Sequence, residues 1–465
     1  MYHVRRTPIT LGMRTITASV STHLLQLIEA LRRQLCDPQF IARHRARPQD
    51  FTRLRQLTFP VVMLLILQKT VKSLQRHLHE FWDQLNAGLL FTPLTAGALT
   101  HARAKLKHTA FIELDQAWVI PAIYAPEAPQ PARRWRGHRL LGVDSSLVRT
   151  PNSEELRQHF SWVQPVNQTG ESGSGFPEAR MSVLYDLLNR VGLDGRLEPS
   201  RRGEVDLAIE QLRQAQPGDV LLNDRGFTGY VYLAWHHKLG LHHISRCSIA
   251  SFAAAQELFR KNRGGVSLRV KLTPPAAHRA QLRQLGLPLE LTVRFVCLPL
   301  PTGGLEVLVT SLLDEVAYPT EEFLTVYHWR WNHETFYHVL KSRLDLENFS
   351  GQTVAAVLQD FHAAVLLCNL ETVLTLPSAA DLAGQSAVTE HPKQINRAVT
   401  LHALKAQILA LLYSRLPVEH VLTQLQRLFL GCPVSLRPDR KPPLRRSPSL
   451  HRSYHFQKRV RKIVF

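Results

Sequence analysis

Leu140-Leu-Gly-Val-Asp144-Ser-Ser146 is a short apolar run that ends on an acid. Asp219-Val-Leu-Leu-Asn-Asp224 repeats the pattern and is followed by Arg225-Gly226-Phe227. Both runs are brief, apolar and bounded by turn residues, as buried strands of a parallel or mixed sheet are. An acid at the carboxyl end of such a strand lies where α/β folds place ligands. One such Asp means little, because Asp is common where strands give way to turns. Two of them invite a search for a third acid.

That acid is Glu334, in Tyr327-His-Trp-Arg330-Trp-Asn-His-Glu334-Thr-Phe-Tyr-His-Val-Leu-Lys341. Pro319-Thr320-Glu321-Glu322 ahead of it reads as a helix start, with Thr320 as N-cap and acids in the first turn. At about 100° per residue, positions 327, 330, 334 and 341 fall within roughly 60° of one another. A phenol, a guanidinium, a carboxylate and an ammonium then share one stripe. Taken alone, such a stripe also fits a solvated charged face with i,i+4 pairs. With Asp144 and Asp224 it completes three hard oxygen ligands, a set suited to Mg²⁺ or Mn²⁺ rather than zinc. Cations beside such a site suit phosphates.

The spacing Tyr-x2-Arg-x3-Glu-x6-Lys at Tyr327, Arg330, Glu334 and Lys341, joined to Asp144 and to Asp224-Arg-Gly-Phe227, resembles the DDE transposases of the IS4 insertion-sequence family. Phe51 to Pro60, Ala102 to Leu106, Leu308 to Glu315 and Glu347 to Gly351 carry the likeness across about residues 45 to 465. The resemblance implies an α/β fold: an RNase H-like catalytic core interrupted by a β-rich insertion, with a helical N-terminal domain and a basic C-terminal tail. It implies DNA end cleavage by water followed by strand transfer from the freed 3′ hydroxyl, on a homodimer that pairs the transposon ends and meets a target. In this reading two Mg²⁺ (or Mn²⁺) ions act, Asp144 bridging them while Asp224 and Glu334 hold one each. Tyr327, Arg330 and Lys341 bind the phosphates near the cut, with Arg225 as a further contact. Trp329 and Trp331 are expected to pack in the core.

Composition points the same way. The chain has 465 residues and a formal charge of +20, which calls for a polyanionic partner such as double-stranded DNA. Membrane lipid is the other polyanion, but the longest apolar run noted, Phe59 to Leu67, is about half of what spans a bilayer. Arg5 and Arg6 lack a following apolar stretch, so no secretion signal is read, and a bacterial cytoplasmic, nucleoid-associated protein is expected. The five cysteines stand singly, without zinc or redox spacing, as thiols of a reducing compartment. His328, His333 and His338 recur every five residues and spread around a helix, and His242 and His243 alternate across a strand, so neither set forms a zinc site.

The expected organisation is a helical DNA-binding region at 1–130, the first part of the core at 136–235, a β-rich insertion at 236–318, the second part with the Glu helix at 319–375, and a helical, basic region at 376–465. Leu24, Ile28, Leu31 and Leu35 keep helical spacing. Thr92 to Lys107 fits a helix-turn-helix on DNA or an ordinary helical hairpin with a basic surface. Asn167 to Phe176 is rich in Gly and Ser but lacks a P-loop ending, so no nucleotide site follows from it, and it fits a plain surface loop or a flexible loop near DNA. The tail from Arg437 holds ten Lys and Arg against Asp439 alone, densest at Lys458 to Lys462; it suits either a solvated tail or phosphate contact. Set against an active transposase is a catalytically silent DNA-binding protein derived from one.

Overall fold

The computed structural model describes residues 21–437 apart from 54, 70–72, 87–93, 165–174, 302 and 387–389. Most of the Gly/Ser-rich stretch and the basic tail with Lys458 to Lys462 lie outside the described residues. So do the first twenty residues.

One mixed sheet organises the rest. Its strands are β1 (Leu140–Arg149), β2 (Ser161–Val163), β3 (Phe176–Asp186), β4 (Val191–Pro199), β5 (Val220–Asn223), β6 (His242–Arg246), β7 (Val266–Leu272), β8 (Leu291–Pro299) and β9 (Leu305–Thr310). The spatial order is β3-β1-β5-β6-β9-β8-β7, with β2 and β4 both paired to β3. The pairs β1–β5 and β5–β6 are parallel, and the others are antiparallel.

β1 is longer than its apolar run suggests, and Asp144 lies in its middle rather than at its end. The pairing explains where the acid emerges. β1 follows β5 only as far as Gly142 opposite Leu222, whereas on the other side it stays paired with β3 out to Arg149. Asp144 therefore lies just past the carboxyl end of β5, next to Asp224. β6 adds to β5 in parallel, through the helix Tyr230–Lys238. β9, β8 and β7 then extend the same sheet from the free edge of β6, so the β-rich stretch forms no separate sheet.

Against β4 lies the helix Val354–Ser386, whose residues are buried nearly throughout its first two-thirds. Val365 and Phe361 of the helix face Gly192 and Gly195 of β4, where an added Cβ would stand 3.4 Å from each. This helix contains an apolar window long enough to cross a membrane, which the reading of Phe59 to Leu67 as the longest apolar run overlooked; 72% of that window is buried inside the fold. It is packed as a core helix.

The chain ahead of the sheet is helical, from Thr22–Cys36 to Ile120–Tyr124. Leu24, Ile28, Leu31 and Leu35 are all buried, as are all nine residues of the helix Phe59–Leu67. In the Thr92 to Lys107 segment the helix is short, Ala96–Arg103, and is capped by the Thr95 hydroxyl, which accepts from the Ala98 amide at 3.1 Å. Arg103 is not on a basic surface. It is buried, donating to Gln359 Oε1, Ser350 Oγ and Asp360 Oδ1, each at 2.5 Å, and to the Ala356 carbonyl at 2.7 Å. Among the cysteines, Cys247, Cys297 and Cys368 are buried, while Cys36 and Cys432 are exposed.

Candidate active site

The site forms where β1 and β5 part. Asp144 keeps about a quarter of its side chain exposed, and its Oδ1 accepts from the Ser145 amide at 2.8 Å. Asp224 directly follows β5, and its Oδ1 is buried with no hydrogen-bond partner among the described residues. Glu334 stands on the helix Trp331–His338 with nearly half its side chain exposed.

Two tyrosines seat that helical segment on the sheet. Tyr337 donates its hydroxyl to the Asp144 carbonyl at 2.5 Å and accepts from the Val183 amide at 3.1 Å. Tyr327 donates to the carbonyl of Asn223, the last residue of β5, at 3.1 Å. Each tyrosine thus ties the Glu334 segment to the backbone beside one Asp. His333 is fully buried against Tyr185 and Tyr337, with ring centroids 5.4 Å and 4.8 Å away. Neither ring nitrogen has a partner among the described residues, and burial pushes the imidazole down to about 3, so it stays neutral.

Tyr327 to Lys341 is not one uniform helix. Hydrogen bonds from the amides of Trp329, Arg330, Asn332 and His333 reach back three residues, and a π-helical turn occupies Val339–Arg343. The tight turn and the wide one both depart from 100° per residue. Nor does Thr320 cap the segment: the helix begins at Glu322, and the Thr320 hydroxyl accepts from buried Arg294 at 2.7 Å.

Arg330 occupies the middle of the acids. Its side chain is 7% exposed, donates to Glu334 Oε1 at 3.0 Å, and lies 3.8 Å from Asp144 Oδ2. Burial works against its charge, but Tyr327, Asp224, Glu334 and Asp144 together raise its pKa. The Asp144 carboxyl is pushed up to about 6, chiefly by burial and further by the charges of Glu204 and Asp224, against the Ser145 amide and Arg330.

The outer cations spread out. Lys341 is half-buried and donates to the Leu147 carbonyl at 2.6 Å, farther along β1. Arg225 is exposed in the turn after Asp224. Trp331 is 49% exposed under the Arg330 guanidinium, 5.2 Å from its ring centre, so it is not the core residue expected; Trp329 packs partly against the core.

Sequence reasoning missed several neighbours. Glu306 is buried in β9, paired with Arg246 at 3.2 Å, and its carboxyl feels the charge of Asp224. An acid inside the apolar run Leu305 to Thr310 was the available signal. Tyr337 lies three residues after Glu334, on the same helical face. Glu204 and Arg180 gave no signal, because only the fold brings them to Ser145 beside Asp144.

The donor chemistry fits a hard divalent cation. Asp224 offers an unpartnered buried oxygen, and Asp144 is a carboxylate whose buried charge a cation would relieve. Among the described residues, no three His, Cys, Asp or Glu side chains close on one point, and the acids are arranged around Arg330 instead.

Comparison with known proteins agrees. The Transposase DDE domain family matches residues 135–370, just over half the chain and the whole of the sheet. The transposase InsG for insertion sequence element IS4 of Escherichia coli K12 is 24% identical over 360 residues, which are 75% of this chain and 77% of that protein. The putative transposase InsZ of the same strain is 27% identical over 93 residues, 20% of this chain and 30% of that protein. Among solved structures, a piggyBac transposase synaptic complex with hairpin DNA aligns with 86% of this chain and 85% of its own, at 8% identity and a TM-score of 0.43. Transposases of this family act on DNA and generally use divalent metal ions. By the family match and the InsG likeness, this chain belongs to the IS4-family DDE transposases.

Proposed function

We propose that this insertion-sequence transposase cuts at the ends of its element and joins them to a target through Asp144, Asp224 and Glu334. The observation that carries this reading is the buried guanidinium of Arg330, which pairs with Glu334 at 3.0 Å, lies 3.8 Å from Asp144 and feels the charge of Asp224. Asp144, Asp224 and Glu334 would hold the divalent ions, two Mg²⁺ (or Mn²⁺) on this reading, which would supply an activated nucleophile and neutralise the leaving oxygen. The chain's own residues do the rest. Tyr337 and Tyr327 fix the depth of the helical segment against the ends of β1 and β5. Arg330, Lys341 and Arg225 are cations within and around the acids, suited to the phosphates on either side of the cut. Tyr327 is buried and spends its hydroxyl on Asn223, so its part in holding DNA is to support the strand end.

The antiparallel strands β4, β3 and β1 continue into parallel β5 and β6, with both Asp residues at the carboxyl edge, which supports an RNase H-like core. On this reading the helical region to about residue 130 and the basic tail share the DNA, and two copies pair the ends in the bacterial cytoplasm at the nucleoid.

Labelled DNA bearing the element's own ends, incubated with Mg²⁺, tests the assignment. Wild type should nick at the ends, and Glu334→Gln should lose at least about a hundredfold in rate, as removal of an essential group does. Equal inactivity of both proteins, with DNA binding retained, would overturn it in favour of a silent DNA-binding relic.

A further inference from the structure

A fourth carboxylate stands behind Asp144. Glu204 opens the helix Glu204–Leu212, which follows the turn out of β4. An acid in a first turn usually does no more than face the helix dipole, and Asp206 in the same turn is exposed. Glu204 does something different. Its Oε1 accepts from the Ser145 hydroxyl, and that hydroxyl oxygen accepts in turn from Arg180 Nη1 at 2.7 Å. The Ser145 amide is the group that donates to Asp144 Oδ1. A chain Arg180–Ser145–Glu204 thus holds the residue that holds the Asp144 carboxylate.

The same helix reaches Asp144 a second time. Gln211 lies seven residues on, two turns along the same face. Buried, it accepts from Ser182 Oγ at 2.7 Å, and Ser182 Oγ also approaches the Asp144 carbonyl at 3.3 Å. One helix therefore grips both sides of Asp144, by a charged contact at its start and a neutral one farther on. The Glu204 charge also reaches Asp144 itself, adding to the effect of burial. Two carboxylates that repel one another attract a shared cation, and an oriented outer neighbour sets how well an inner ligand binds.

We propose that Glu204 is a positioning residue of the metal site: through Ser145 it fixes the Asp144 carboxylate, and its charge strengthens the hold on a divalent cation there. The inference rests on the reading of Asp144 as a metal ligand. Glu204 touches neither DNA nor the reacting atoms; it acts through Asp144.

Thermal melts of the full chain during a Mn²⁺ titration give a readout independent of catalysis. Glu204→Gln keeps an oxygen to accept from Ser145 but removes the charge. It should leave the melting temperature without metal unchanged and raise the Mn²⁺ concentration for half-maximal stabilisation by about tenfold. Glu204→Asp, which keeps the charge, should restore part of that shift, and Asp206→Asn in the same turn should leave the midpoint where it is. Asp144→Asn should abolish the response. A wild-type midpoint in Glu204→Gln, with the response lost in Asp144→Asn, overturns the role of Glu204 alone. A wild-type response in Asp144→Asn overturns the metal-site reading and this inference with it.

Discussion

Gly142 lies two residues before Asp144, on the same face of β1. A Cβ added there would meet His333 Nδ1 and Leu187 Cδ2, both at 3.2 Å. The missing side chain lets the His333 ring close over the strand, which brings the helix carrying Glu334 down onto the face of Asp144. Gly142→Ala should therefore destabilise the protein by about 1–3 kcal/mol, as overpacking a tight core does. Urea unfolding should report a lower midpoint with an unchanged slope, and cleavage should weaken further as Glu334 is lifted. The three acids and Arg330 could be picked out from the chain because acids ending apolar runs, and a spaced Tyr, Arg, Glu and Lys, are chemically conspicuous. Glu204 could not: it is one of many acids near a helix start, and only the turn after β4 carries it to Ser145.

Elements tell a similar story. The helical segment around Glu334 was legible as helix, but not its two changes of pitch, because backbone bonds reaching back three or five residues leave no mark on side-chain spacing. Those changes are why Lys341 reaches Leu147 instead of lining up beside Arg330. Likewise Arg103 looks like part of a basic face in sequence, yet it joins the helix Ala96–Arg103 to the helix Val354–Ser386 through buried Asp360. Lys69 lies 3.5 Å from the same carboxylate. Arg103→Met takes from Asp360 its closest cation among the described residues, and should cost about 3–5 kcal/mol, the usual penalty for breaking a buried pair. Adding Asp360→Asn should recover part of the loss, so that the double variant melts above the sum of the single ones. Fully additive losses would mean that the two residues do not share one network.

At the scale of the molecule, burial of histidines sets the acid limit of the fold. His236 is fully enclosed and His362 is buried, and burial pushes them down to about 4 and about 3, with His242 and His108 adding to the effect. The unfolded chain takes up these protons near pH 6.5. Between that pH and about 4 it therefore binds more protons at these two sites than the native state does, which lowers stability as pH falls, while the raised carboxyl of Asp144 works in the opposite direction. Each group contributes on the order of 3 kcal/mol to the loss by the bottom of its window. Melting temperatures measured from pH 7 to pH 4.5 should fall steadily, starting below about pH 6.5. An unchanged slope after His236→Gln and His362→Gln would show that these histidines do not set the profile.

The division between chain and fold follows from what each kind of information is. Local sequence determined the elements and the chemistry. Apolar runs closed by acids read as strands, helical spacing placed Leu24 to Leu35, and a charge of +20 named a polyanion as partner. Those properties belong to neighbouring residues or to the composition, and no contact is needed to express them. The tertiary structure decided which acids meet and what stands between them. Asp144 surfaces because β5 stops short of it, Arg330 is held among three carboxylates gathered from separated segments, and β7 to β9 continue the sheet that β6 begins. It also turned the apolar window of Val354–Ser386 into a core helix, packed against β4 with 72% of the window buried. Close approach between residues far apart in the chain depends on packing, and packing is a property of the whole fold.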